Sequence, residues 1–349
     1  MKCTYTQDQQ SFRDSAGKVF SKRCSPSQQR ALWQDETGRD PDLWADLVEL
    51  GVPAILVPEE FDGLGGTEVD LLAVLEEAGR QGVPDALVES VFVGPYAIAV
   101  AANAQQQRRW LPGVATGGLR VTVGLGNAHH VPDVHVSDLI VLERSGELWV
   151  YHRDELEVER VGSQDPSRRI FAVTPRPGAG ERLPLGAEAL GQIRARERVG
   201  SAAVLNGISQ HLLDAAVEYA KVRRQFNRVI GSFQGVKHLL ADAASRIHLA
   251  TLAVRSATWR VATGQPEALE VAEFARICAV EAEFVANRVS LQVHGGIGFT
   301  FEHDLQLWLK RGKVLEQTHG GHRAAARRAG MTVLTKVPTA CAGTETARP

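Results

Sequence analysis

The chain has 349 residues, which is long enough for two or three structural lobes. Of these residues 44% are hydrophobic and 23% charged, as is ordinary for a globular protein. Its formal net charge of −2 provides no basic field, which argues against a nucleic-acid binder and against attachment to an anionic membrane. No apolar run approaches the ~20 residues of a membrane-spanning helix, and the first residues show no signal or transit pattern.

The four cysteines (Cys3, Cys24, Cys278 and Cys341) are scattered along the chain, without a CxxC pair or a histidine at ligand spacing. This usage is typical of reduced thiols in a reducing compartment. We therefore expect a cytoplasmic protein without structural zinc.

Residues 1–118 carry helical patterns. Apolar side chains recur at helical spacing over 43–50 and again over 71–78, and a turn-rich loop at 57–66 separates the two stripes. The pattern predicts an N-terminal α-helical domain over 1–118.

The next block, 119–188, has a different texture. Short apolar or alternating runs at 119–123, 138–142 and 147–151 are separated by Gly, Pro and Asp, which predicts a small antiparallel β unit.

Helical, alanine-rich sequence returns over 189–331, with a break at 264–266, and 332–349 has the composition of a disordered polar tail. Helices, strands and helices in this order predict an α+β fold with a β insert between two helical lobes.

Two segments are unusual for helical sequence. Residues 292–304 place three glycines within four positions, at a cost of roughly 1 kcal/mol per glycine against alanine. Such a cluster indicates that backbone closely approaches a cofactor phosphate or a partner helix, and a plain inter-helix turn is the alternative. Upstream, residues 219–234 read Tyr-Ala-x-x-Arg-x-Gln-Phe and then Ile-Gly-Ser-Phe-Gln.

Both segments resemble hallmarks of the acyl-CoA dehydrogenases, flavoenzymes that desaturate acyl-CoA thioesters between the α and β carbons. The resemblance is strongest over 197–325, and 57–66 looks like the family's Pro-Glu-x-x-Gly-Gly-x-Gly loop. It implies an N-terminal helical domain, a small central β-barrel-like domain and a C-terminal four-helix bundle. The chain resembles actinobacterial-type members, some of which form heterotetramers that act on steroid side-chain CoA thioesters.

The resemblance also implies FAD as cofactor. Arg223 would place its guanidinium, a fixed fork of donors, on the flavin pyrophosphate. A solvated basic turn is the alternative for Arg223 and Arg224. The other implied cofactor-binding residues, the last four approaching from a neighbouring subunit, are Gln225, Phe226, Gln234, Gln292, Val293, Gly295 and Gly296.

The family's chemistry needs a carboxylate to remove the α-proton, with a pKa raised toward working pH by burial. Most members keep this glutamate in a stretch resembling Tyr-Glu-Gly-Thr, but here residues 319–321 are His-Gly-Gly, and Glu316, one turn earlier, is expected to point elsewhere. A smaller branch, including isovaleryl-type enzymes, supplies the base from the start of a helix, twenty-two positions ahead of the motif tyrosine. Counted from Tyr219, that residue is Glu197. The alternative for Glu197 is a solvated first helical turn, where the helix dipole favours glutamate.

The chain also departs from the family pattern at the opening of the β unit. Residues 122–130 lack the Glu-Pro and Ser-Asp elements of the usual Thr-Glu-Pro-x-x-Gly-Ser-Asp loop, and no second flavin-ring strand is recognisable at 148–151. His129, His130 and His135 have no matching carboxylate or cysteine set, so we expect no metal.

Two hypotheses stay open. The chain is a catalytic FAD-dependent acyl-CoA dehydrogenase with Glu197 as base, in which Gly320 and Gly321 make room for a branched or bulky acyl group. Alternatively, it is the non-catalytic subunit of a heteromeric member and lends Arg223 and 292–296 to a partner's flavin. A relative that acts on a carrier-bound acyl group or oxidises another substrate is a third possibility. The family implies electron-transfer flavoprotein as acceptor and an oligomeric assembly, either a homo-oligomer or a heterotetramer with a related subunit.

Overall fold

A computed structural model describes residues 4–126, 130–186 and 188–336 of the chain. Along these residues helices come first, then short strands, then helices again, so the predicted α+β fold class is confirmed. The tail predicted for 332–349 starts too early, because the last helix continues to Lys336. The rest of that predicted tail, 337–349, lies outside the described residues.

Six α-helices occupy the described residues before 119. They are α1 (Gln7–Arg23), α2 (Pro26–Leu32), α3 (Pro41–Glu49), α4 (Glu68–Gln81), α5 (Gly94–Ala101) and α6 (Ala104–Ala115). Thr6, Ser25 and Asn103 begin α1, α2 and α6 with capping boxes, in which side chains satisfy the first free backbone N–H groups. The two predicted apolar stripes lie on α3 and α4, where Leu47 and Leu75 are fully buried.

Seven strands follow in the described part of the β unit. They are β1 (Val121–Gly124), β2 (His130–Pro132), β3 (Leu139–Arg144), β4 (Glu147–His152), β5 (Leu156–Val161), β6 (Ile170–Pro175) and β7 (Glu181–Leu183). They form one sheet ordered β1-β3-β4-β7 and a second ordered β2-β6-β5. The predicted antiparallel pairing is wrong for β1 and β3, which run parallel with Val121 opposite Leu139. The reason is that the chain leaves the first sheet to form β2 and re-enters it in the original direction.

The β unit has its own small core and a second apolar face. Val131, Ile140 and Tyr151 pack in the small core between the two sheets. Val121 and Val123 of β1 instead join the main core that includes the C-terminal helices. The end of β1 is therefore held against the helical part of the molecule.

The C-terminal part is a helical bundle. Its helices are α7 (Ala189–Val222), α8 (Gln234–Ala262), α9 (Ala268–His294), α10 (Leu305–Gln317) and α11 (Gly321–Lys336). A hairpin of two-residue strands, β8 (Arg224–Gln225) and β9 (Arg228–Val229), joins α7 to α8. The break predicted at 264–266 is confirmed, since it separates α8 from α9. None of the helices in the described ranges has the length and apolar character needed to span a bilayer.

Glycines let α4 and α7 cross at very short range. A Cβ atom built at Gly207 of α7 would overlap the backbone carbonyl of Glu76, and one built at Gly79 of α4 would overlap that of Val204. Because both overlaps are with backbone rather than with flexible side chains, a larger residue at either position forces the helices apart. This crossing fixes α7, which carries Glu197, against the N-terminal helices.

Candidate active site

A cavity of about 1040 Å³ lies where the β unit meets the C-terminal bundle. Ligand pockets commonly measure about 300–1,000 Å³, so this one is large enough for a multi-ring ligand. Its walls combine the end of β1 with residues of α7, α9, α10 and α11. Representative lining residues are Gly124, Gly126, Glu197, Glu273, Lys313 and Gly320.

Glu197 is the candidate base, and it lines this cavity from α7 with 7% of its surface exposed. Arg198 Nη1 donates a hydrogen bond to Glu197 Oε2 over 2.6 Å. Burial raises the pKa of Glu197 to about 7, Arg198 opposes that rise, and the nearby Glu89 adds to it. A carboxylate with this pKa binds a proton more strongly than an exposed glutamate does, and about half of it is ionised at neutral pH.

The alternative interpretation of Glu197, a solvated residue in a first helical turn, is wrong. Helix α7 begins at Ala189, so Glu197 lies in its third turn, beyond the reach of the N-terminal dipole. The neighbouring Arg196 and Arg198 are also buried. They are tolerated inside because each guanidinium meets a carboxylate, as Arg196 does with Glu68 of α4 over 2.5 Å.

Gly320 occupies the position at which the resemblance places the usual glutamate. It lines the cavity with a φ of 84°, in the left-handed region that favours glycine. Arg276 holds the preceding turn, because its Nη2 donates to the carbonyl oxygens of Leu315 (3.1 Å) and Thr318 (2.9 Å). Glu316, which is expected to point elsewhere, lines a neighbouring cavity of about 720 Å³ instead of the one at Glu197.

An ion pair borders the cavity in the region where the sequence lacks the Thr-Glu-Pro loop. The Gly126 N–H donates to Glu143 Oε2 over 2.8 Å, and Arg194 Nε donates to the same oxygen over 3.2 Å. His129 lies outside the described residues. Across the described ranges, no three His, Cys, Asp or Glu side chains are close enough to share a metal ion.

Sequence reasoning missed three carboxylates near the cavity. Each is bound by an arginine distant in sequence, in the pairs Glu89–Arg168, Glu143–Arg194 and Glu273–Arg198. No local pattern could identify these glutamates, because their partners lie more than 50 residues away along the chain. The alternating arginines at 194, 196 and 198 were the sequence feature that could have predicted carboxylate partners nearby.

Four of the predicted cofactor-binding residues lie on the surface around the β8–β9 hairpin. Arg223 directly follows α7 with its side chain exposed, and its backbone carbonyl oxygen accepts from the Ile230 N–H. Phe226 is 87% exposed and has a positive φ of 49° at the hairpin turn. Gln225 is exposed on β8, and Gln234, also exposed, is the first residue of α8.

The glycine segment ends α9 and also lies at the surface. Gly295 has a φ of 63°, and a Cβ atom built on Gly295 or Gly296 would meet nothing within 4 Å. Gln292 is exposed, but Val293 is buried, so Val293 can meet a ligand through its backbone and not through its side chain. These glycines therefore present bare backbone to the outside.

The structure brings the two motifs together within one chain. The rings of Tyr219 and His294 stack with 4.6 Å between their centroids. Tyr219 lies one turn of helix before Arg223, and His294 lies directly before Gly295. His294 is buried, and its Nδ1 donates to the Ser290 carbonyl oxygen over 2.8 Å. None of the described residues that line the Glu197 cavity comes from either motif. The chain thus carries two separate surfaces, one at Glu197 and one at the motifs.

The order of helices, β unit and helical bundle, with a large cavity where the β unit meets the bundle, is the architecture that the sequence resemblance implies. The chain belongs to the acyl-CoA dehydrogenase family. Residues 6–118 match the family's N-terminal domain model, and residues 185–331 match its C-terminal domain model. It is therefore a flavoprotein of an oxidoreductase class.

Relatives and solved structures agree with this assignment. Acyl-CoA dehydrogenase IpdE2 of Mycobacterium tuberculosis is 31% identical over 335 residues, which cover 93% of this chain and 97% of the relative. The Tcur3481-Tcur3483 steroid ACAD, solved as a variant, superposes with a TM-score of 0.86 at 25% identity, over 94% of this chain and 98% of that one. Butyryl-CoA dehydrogenase from Megasphaera elsdenii shares the fold with a TM-score of 0.85 at 19% identity, over 96% and 100% of the two chains.

FAD is the cofactor of this family, and the residues present fit it. The cavity at Glu197 has the volume for a flavin ring system. The exposed guanidinium of Arg223 and the bare backbone at Gly295 and Gly296 are donor groups suited to a diphosphate.

Proposed function

We propose that the chain catalyses FAD-dependent α,β-dehydrogenation of an acyl-CoA thioester, giving a trans-2-enoyl-CoA, with Glu197 as the base. The observation that supports this most is a buried carboxylate in the wall of a large cavity, with a pKa raised to about 7. Such a group is matched to the removal of a weakly acidic α-proton near neutral pH.

In this proposal the chain's own residues bind, orient and deprotonate the substrate. Glu197 takes the α-proton, and Arg198 holds the carboxylate at the cavity wall through its Nη1. Bound FAD would supply the acceptor for the hydride that leaves the β-carbon. Gly320 lines the cavity without a side chain and would leave room there for a branched or bulky acyl group.

We also propose that both motifs of one chain hold the dinucleotide arm of a FAD bound to a neighbouring subunit, in place of the expected arrangement in which only 292–296 come from the neighbour. Support comes from their joint position at one end of the bundle and their absence from the described lining of the chain's own cavity. Arg223 would meet the diphosphate, and the predicted companions Gln225, Phe226, Gln234, Gln292, Val293, Gly295 and Gly296 would line the rest of that arm.

Replacing Arg223 with glutamine is expected to weaken FAD binding by about ten- to a hundredfold, since a charge-assisted hydrogen bond to phosphate is lost. Flavin retained after gel filtration, read by visible absorbance, measures the effect. Lys221→Gln removes an equal charge from an exposed neighbour that pairs with Glu218, and it should retain wild-type flavin content. Equal flavin retention in both variants would contradict the proposed role of Arg223.

Turnover is expected to rise with pH and to level off above about 7, because Glu197 acts in its ionised form. Below its pKa of about 7, each decrease of one pH unit should lower kcat/KM about tenfold. The profile of flavin reduction between pH 5 and 9 measures this limb. A limb near pH 4.5, or none, would contradict the assignment of this base.

A second candidate function is a partner subunit in a heteromeric enzyme. Two observations favour it: the similarity to the Tcur3481-Tcur3483 steroid ACAD, whose name pairs two chains, and the altered segment after β1.

We further propose three domains, at 1–118, 119–188 and 189–331. We also propose that the protein is cytoplasmic and that it assembles as a homo-oligomer or as a heterotetramer. Electron-transfer flavoprotein is the proposed electron acceptor.

A comparison of two preparations of the chain tests these candidates. The chain is expressed alone and together with a related subunit, and its visible spectrum is recorded before and after anaerobic addition of an acyl-CoA. About one flavin per chain that the thioester bleaches supports the self-sufficient enzyme. A colourless chain that becomes yellow and active with its relative supports the partner role. Flavin that no acyl-CoA bleaches in either preparation would contradict the proposed function.

A further inference from the structure

A chain of charged side chains links three helices to Glu197. Glu273 of α9 is 6% exposed, and its Oε1 accepts from Arg198 Nε over 2.9 Å. Arg328 of α11 binds the same carboxylate from the other side, with Nε to Oε1 at 2.9 Å and Nη2 to Oε2 at 3.1 Å. Because Arg198 also donates to Glu197, the order is Arg328, Glu273, Arg198 and Glu197.

This arrangement divides the Arg198 guanidinium between two carboxylates. Its planar fork is fixed at two points, Nε on Glu273 and Nη1 on Glu197, so the group cannot turn fully toward either one. A guanidinium shared in this way stabilises the ionised form of Glu197 less than one devoted to it would. Glu273 therefore influences Glu197 without touching it.

Other charges also face this corner of the cavity. They are Arg194 on α7, Glu89 in the segment Val88–Val93, Arg168 ahead of β6, Arg276 on α9, Lys313 on α10 and His130 on β2. Glu89 is bound by Arg168, and Arg194 is bound to Glu143. Arg276 is directed to the carbonyl groups at the end of α10. Glu273 differs from these groups in sharing the donor Arg198 with Glu197.

We propose that Glu273 is a positioning residue for Glu197, which holds Arg198 back from the base and is itself balanced by Arg328. This inference rests on the proposed function, in which Glu197 removes the substrate proton. It assigns to α11 a role in setting the strength of a base that lies on α7.

The charge relations predict opposite effects from two substitutions. Glu273→Gln frees Arg198 to bind Glu197 more fully and removes a negative charge nearby, so the pKa of Glu197 should fall by about one pH unit. Arg328→Gln leaves Glu273 with more hold on Arg198, so the pKa of Glu197 should rise. That rise should be smaller, because the Arg328 side chain is 40% exposed and screened by solvent. A role confined to packing would not produce shifts of opposite sign.

The test is a pH titration of the full chain labelled with [5-¹³C]glutamate, in which Glu197→Gln identifies the Glu197 carboxyl signal. The acid limb of kcat/KM is measured on the same variants with the FAD-loaded protein. The matched control is Glu267→Gln, which breaks a surface pair with Arg260 at the start of α9 and should leave the Glu197 titration unchanged.

A downward shift in Glu273→Gln and an upward shift in Arg328→Gln support the inference. Shifts in the same direction, or none, overturn it. If Glu273→Gln does not fold, Arg328→Gln decides alone, with an upward shift in support and its absence against. If no preparation oxidises an acyl-CoA, the proposed function fails, while the carboxyl titration still decides whether Glu273 controls Glu197.

Discussion

Replacement of Glu197 by glutamine is expected to slow acyl-CoA-dependent flavin reduction by about a thousandfold, within the range that a general base contributes. The amide preserves the size of the side chain and accepts a hydrogen bond from Arg198, but it cannot take the α-proton. Flavin content should stay at the wild-type level, because Glu197 lies apart from both dinucleotide motifs. Anaerobic stopped-flow absorbance measures the rate of bleaching.

Glu316→Gln provides the matched control for this experiment. Glu316 lies one turn before Gly320, where most family members carry their base, but it lines the neighbouring cavity and pairs with Lys313 over 2.7 Å. Its replacement should change the rate of bleaching by no more than about twofold, the scale of a partly exposed pair. A Glu197→Gln variant that reduces flavin within tenfold of wild type, or an inactive Glu316→Gln variant, would overturn the assignment.

Gly207→Ala is expected to lower the free energy of unfolding by about 3 kcal/mol, a large effect for the addition of one methyl group. The new Cβ atom would overlap the carbonyl of Glu76, so α4 and α7 must separate along a buried contact. A thermal midpoint lower by about 5 °C, measured by circular dichroism, is the predicted result. Activity should fall as well, since α7 carries Glu197.

The control for this substitution lies on the same helix. Gly191 is in the first turn of α7, and a Cβ atom there meets nothing within 4 Å. Gly191→Ala should therefore keep or raise the midpoint, by as much as the ~1 kcal/mol that alanine gains over glycine in a helix. If Gly207→Ala unfolds at the same temperature as Gly191→Ala, the close crossing of α4 and α7 is not present in solution.

Elements with strong local signatures can be predicted from the amino-acid sequence alone. The apolar stripes on α3 and α4 and the break between α8 and α9 depend on neighbouring residues, and each of these predictions is confirmed. The parallel pairing of β1 with β3 cannot be predicted in this way, because it depends on where β2 leaves the sheet and not on the strands' own sequences.

The candidate site can be predicted only in part. Counting from Tyr219 leads to Glu197 but not to its burial, because that burial depends on what packs against α7 in the folded protein. The network that surrounds Glu197 cannot be predicted in this way, because Glu273 meets Arg198, and Arg328 meets Glu273, only through the packing of three helices. Electrostatics at this site is a property of tertiary structure.

A structure of the FAD-loaded protein with a non-oxidisable acyl-CoA analogue tests the central claim most directly. We predict that the flavin ring and thioester lie in the cavity at the end of β1, with the α-carbon about 3–3.5 Å from a Glu197 carboxylate oxygen. A thioester bound elsewhere, or one whose α-carbon is out of reach of Glu197, would contradict the claim.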